Sequence, residues 1–187
     1  MAVIAVAVAN LAYFGLEFVV ARRIGSVSLF ADSVDFFEDA SVNFLVALAL
    51  GWSARRRAQV GMAMALVLLL PALAFVWTAW RKFHSFAPPD PWALSLTGLG
   101  ALAINVGCAF LLARFRHHKG SLTKAAFLSS RNDAVANIAI MAAGAVTLVW
   151  RSAWPDLVVG FGIAWMNLDA AREIWEAAKA EHTDAKA

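Results

Sequence analysis

Four acids, Asp32, Asp35, Glu38 and Asp39, fall inside the otherwise greasy run SLFADSVDFFEDASVNFLVALAL. On a helix turning about 100° per residue, Asp35 and Asp39 share one face, joined by Asp32 and Asn43. Glu38 points well away from that stripe. A second polar line runs through LSSRNDAVANIAI, where Ser129, Asp133 and Asn137 recur every fourth residue with Asn132 beside them. Carboxylates are the natural oxygen ligands of divalent cations. In the middle of a bilayer each costs at least about 3 kcal/mol on insertion scales, and such residues line ion pathways and proton relays. A doubly charged ion would offset the mutual repulsion of Asp35, Asp39 and Asp133, and the emptied cluster is expected to take up protons in its place. The three acids are therefore the expected metal ligands and proton carriers. Ser129 is a fourth candidate ligand, although a mid-helix serine commonly bonds a backbone carbonyl of its own helix. Asp32, Asn132, Asn137 and Asn43 are read as groups that support the ligands.

The segments that carry these residues belong in lipid. Apolar residues make up 61% of the 187 positions and only 16% are charged, against about half and a quarter in soluble domains. A hydrocarbon core of about 30 Å needs about 20 mostly apolar residues per helix. Six stretches qualify, at roughly 2–21, 27–52, 59–80, 92–113, 122–150 and 156–175. The expected fold is an all-α membrane protein of six transmembrane helices. Basic, Pro and Gly residues punctuate the breaks, and Trp52, Trp77, Trp80, Trp92, Trp150 and Trp154 lie near span ends, where indole rings favour the interface. With the N-terminus inside, ten Lys and Arg fall on the inner side and five on the outer, which favours cytoplasmic termini despite the outer pair Arg22-Arg23. Counting 1.5 Å per residue puts Asp35 roughly 12 Å and Asp39 roughly 18 Å from the outer surface, and Asp133 roughly 16 Å from the inner one. Packed antiparallel, the second and fifth helices would set Asp35 opposite Asp133 and Asp39 opposite Ser129, near the midplane.

Other residues rank lower. Glu17 and Asn10 on the first helix and Asn105 on the fourth are read as buried hydrogen-bonding groups between helices, with a place bordering the pathway as the alternative. Arg131 can pair with Glu38 or snorkel. His117-His118 lacks a third ligand, and Cys108 reads as a packing residue within an apolar helix. No basic segment precedes the first apolar run, which therefore reads as a helix and not a cleaved signal. No phosphate loop or nucleophile elbow is present, so neither nucleotide, nucleic acid nor a cofactor beyond the transported metal is expected. The Gly-x-Gly-Asp context of intramembrane aspartyl proteases is missing around Asp39 and Asp133.

Along nearly its whole length the chain resembles the cation diffusion facilitator family of divalent-metal/proton antiporters. The first two helices of that family run N…F…E, then G-S-x-x-L-x-A-D-x-x-[HD]-x-x-x-D, and here the stretch is NLAYFGLEFVVARRIGSVSLFADSVDFFEDA. The family's fifth helix carries a further [HD]-x-x-x-D, matched here by SSRND, and the sixth opens on WPD…G. The resemblance implies a transport site at Asp35, Asp39, Ser129 and Asp133, a homodimer, and efflux from the cytoplasm driven by inward proton flow. It places the chain in a bacterial cytoplasmic membrane.

Two departures stand out. Zinc-transporting relatives have His at one or two of the four positions, whereas Asp35 and Ser129 make this site all oxygen. That shifts expectation toward manganese, iron(II) or cobalt, with zinc, by the family's habit, and cadmium still in range. The family also continues into a cytoplasmic metal-sensing domain. Here residues 1–178 read as the transport domain and 179–187 as a short charged tail, so a dimer is expected to form through the membrane helices. The missing domain keeps an alternative open, a non-transporting metal-binding paralogue or a partner subunit of a full-length homologue.

Overall fold

The computed structural model describes the backbone over residues 2–49, 56, 73–114, 121–166 and 172, and side chains there except at 2, 45, 46, 49, 112–114 and 121–132. The first part of the expected third span, the end of the sixth, the 179–187 tail, Trp52 and the His117-His118 loop lie outside the described residues. Every described element is helical: α1 (Ala2–Ile24), α2 (Val27–Ala49), α3 (73–85), α4 (Pro91–Arg114), α5 (Ser121–Val149) and α6 (154–166).

The punctuation follows from local chemistry. Gly25 takes the left-handed conformation at φ +64°, and the Ser26 amide reaches back to the Ala21 carbonyl at 3.0 Å, closing α1. Ser26 then caps α2 by accepting the Leu29 amide at 3.1 Å. Asp90 accepts the Ala93 amide at 2.7 Å and Pro91 opens α4, where its missing N–H costs nothing.

α1 packs on α2, α4 on α5, and α1 on α4, with α2 touching both α4 and α5, so these four helices form one bundle. Tyr13 donates to the Thr97 carbonyl at 2.6 Å, fixing α1 to α4. α3 and α6 meet through aromatic contacts, Phe75 on Phe161 and Phe83 on Trp154 among them.

The polarity runs opposite to that of a water-soluble bundle. Asn10, Glu17, Asp32 and Asn137 are 1% exposed or less, while Phe110 and Trp165 are more than 70% exposed. In water that arrangement would waste the hydrophobic effect; in lipid it leaves apolar side chains against acyl tails and satisfies polar groups between helices. Trp77, Trp80, Trp92, Trp150 and Trp154 are all exposed near helix ends, as an interfacial belt requires. By length and composition, Val3–Ile24 and Pro91–Leu111 are long and apolar enough to cross a membrane. α2 is as long, and its four acids are what set it apart.

Candidate metal centre

α2 and α5 supply the site. Asn137 of α5 is fully buried and donates through Nδ2 to both carboxylate oxygens of Asp32, at 3.3 and 3.4 Å, and to the Asp133 carbonyl at 2.7 Å. With Asn137 against Asp32 in an antiparallel pair, Asp133 one turn along α5 falls at the level of residues 35–36 on α2. Asp133 lies in the field of Asp39, Asp32 and Glu38, and Asp35 in that of Asp32, Asp133, Glu38 and Asp39. Asp35 and Asp39 sit deep in the bundle, yet both keep part of their surface accessible, as does Asp133.

On the other side, Asn10 of α1 donates to Asp39 Oδ2 at 3.5 Å and accepts from Cys108 Sγ of α4 at 3.6 Å. Asn43 turns back to its own helix, donating to the Asp39 carbonyl at 2.7 Å. The side chains of Ser129, Asn132 and Arg131 lie outside the described residues. Among the described residues, no three Asp, Glu, His or Cys side chains are arranged to hold one metal ion together. The three carboxylates lie within one another's field without closing on a single point. Like charges in a medium of low dielectric push apart, and a cation between them removes the reason for that separation.

Sequence reasoning misplaced two residues and missed two others. Glu38, expected well off the polar stripe, is buried and its charge reaches Asp35 and Asp133. Inside a bundle a helix is covered on more than one side, so leaving the stripe did not mean leaving the interior. Glu17, expected to hydrogen-bond between helices, is fully buried within reach of Asp32 on α2, yet among the described residues no donor reaches either of its oxygens. An acid alone in an apolar helix was the signal available.

Asp156, noted only within the WPD motif, and Lys82, counted only as a loop charge, were given no role, and they build a polar clasp away from the site. The buried Asp156 carboxylate accepts Ser26 Oγ at 2.6 Å, Ser28 Oγ at 2.7 Å, and the Val27 and Ser28 amides at 2.8 and 3.1 Å. A negative charge there also faces the positive end of the α2 dipole. Lys82 of α3 donates to the Gly25 carbonyl at 2.7 Å and pairs with Asp156 at 3.9 Å. Burial pulls its ammonium below the ordinary lysine range, and Asp156 opposes that pull. Gly160 lets α6 approach this closely, since a Cβ there would stand 2.9 Å from the Ser28 nitrogen.

Residues 3–180 match the cation efflux transmembrane domain. The chain belongs to the cation efflux family. A search among curated proteins finds no match to this family member. It is an integral membrane protein that moves metal cations outward, and its class is transport and not catalysis.

Proposed function

We propose that this protein exports a divalent metal ion, zinc by the habit of its family, from the cytoplasm in exchange for protons. Asp35, Asp39 and Asp133 are the metal ligands, with Ser129 as a fourth, and Asp32, Asn132, Asn137 and Asn43 hold them in place. The same three carboxylates carry the counter-transported protons. The observation that supports this reading is that Asp35 and Asp39 on α2 and Asp133 on α5 lie in one another's field, within a chain of the cation efflux family.

The chemistry follows from charge. A metal ion entering from the cytoplasm exchanges its water for carboxylate oxygens and cancels two of their negative charges. Protons from the other side then compete for the same oxygens and release it. Both termini face the cytoplasm, the protein works as a homodimer through its membrane helices, and the membrane is the bacterial cytoplasmic one.

Proteoliposomes holding only this chain, with a metal-sensitive dye inside and an imposed pH gradient, test the reading. Zinc flux that follows the direction of the gradient supports it. Zinc binding with no flux under either gradient would favour the non-transporting paralogue or partner subunit. Competition among zinc, cadmium, manganese, iron(II) and cobalt on the purified protein ranks the substrates.

A further inference from the structure

We propose that Glu17 and Asp32 form a proton-holding pair, distinct from the metal carboxylates and one helical turn from them. Glu17 projects from α1 into the same interior as Asp32 of α2, and the two are 0% and 1% exposed. Among the described residues no donor reaches either oxygen of Glu17, whose side-chain neighbour within hydrogen-bonding reach is Asp32. The donor that reaches Asp32 among the described residues is the shared Asn137 amide, at 3.3 and 3.4 Å. The other polar atom of that amide, Asn137 Oδ1, is also buried and without a partner.

Two ionised carboxylates have no proton to donate to each other, so a fully buried pair leaves its oxygens empty. One proton shared between Glu17 and Asp32 supplies the missing donor. It also removes one of two like charges from a region of low dielectric.

The neighbours leave the proton as the fitting ligand. The charges that reach Glu17 are those of Asp32 and Asp35, both negative. Tyr13, one turn away on α1, spends its hydroxyl proton on the Thr97 carbonyl. From α5 the titratable group in range of Asp32 is Asp133, also an acid, and from α4 Cys108 is turned to Asn10. Among the described residues no third Asp, Glu, His or Cys joins the pair to complete a metal site. What two carboxylates without a donor require is a proton.

The pair deepens the antiport reading and rests on it. Asp32 lies about 4.5 Å along the helix axis from Asp35. A doubly charged ion arriving at Asp35 therefore favours the fully ionised pair. The O–H bond breaks, its electrons stay on the carboxylate, and the proton leaves to solvent. When the metal departs, one proton returns. The pair thus adds one proton to those displaced from the metal ligands themselves.

Infrared spectroscopy on the full chain without metal tests the pair alone. At neutral pH the carboxylic C=O band of a buried acid, shifted by deuterium, is expected in the wild type. It should weaken in Glu17→Gln, and also in Asp32→Asn, whose amide gives Glu17 the donor it lacks. A band of unchanged intensity in both variants overturns the proposal; if one variant does not fold, the other decides. The coupling is tested by zinc titration in buffers of different ionisation enthalpy, where Glu17→Gln should still bind zinc but release about one proton fewer per ion. An unchanged proton count overturns the role in exchange. Failure of the wild type to bind zinc would instead overturn the metal reading, with the infrared result still deciding whether the pair holds a proton.

Discussion

Two fully buried carboxylates in this molecule live opposite lives. Asp156 receives four short hydrogen bonds from the start of α2 and stands beside a lysine. Glu17 receives none, and Asp32 only the long bonds of one shared amide. The difference separates structure from function. A carboxylate whose lone pairs are filled by the fold is finished when the protein folds. One left open in a dry interior stores a demand for positive charge, which a proton or a metal ion can meet.

That contrast can be broken or sharpened by substitution. The largest effect is expected on transport: Asp39→Ala and Asp133→Ala should each reduce zinc flux in proteoliposomes to the background of empty vesicles. Flux within a few-fold of wild type in either variant would remove that residue from the ligand set.

The largest effect on stability should come from the clasp. Asp156→Ala leaves Lys82 unpaired and two hydroxyls and two amides without an acceptor, at a cost of about 3 kcal/mol, read as an early melting transition in detergent. Gly160→Val forces a side chain against the α2 backbone and should cost about 2 kcal/mol by the same measurement. Glu17→Gln should melt at the wild-type temperature or slightly above it, because the new amide can donate to Asp32 in place of the shared proton. A collapse in its melting temperature as deep as that of Asp156→Ala would erase the distinction between the two kinds of carboxylate. The smallest effect is expected from Ser129→His, which should leave total flux near wild type while tilting preference toward zinc over manganese.

Much of the candidate site could be seen in the sequence because its signal is local. Acids four residues apart in an apolar run define a helical face without knowledge of any partner, and one depth estimate for each helix brings the two faces level. The clasp could not be seen that way. Ser26 and Ser28 read as an ordinary helix start, and the acceptor that binds them lies 130 residues away from Ser26 in Asp156. Lys82 looked like one more loop charge until its side chain proved buried. Glu38 shows a third limit: the angle of a residue on its own helix says nothing about how many neighbours surround that helix. The family match and the arrangement of six helices agree with what composition and span length implied, since lipid permits few alternatives.

The clasp grips α2 at its very first residues, and a rod held by its tip sweeps widest at the far end. Asp39 lies twelve residues beyond Val27, about 18 Å along the axis. A tilt of about 10° about the Asp156 contact would displace Asp39 by about 3 Å, Asp32 by less than half as much, and Val27 hardly at all. Any tilt of α2 about that contact is therefore felt most at Asp39 and far less at Asp32, the partner of Glu17.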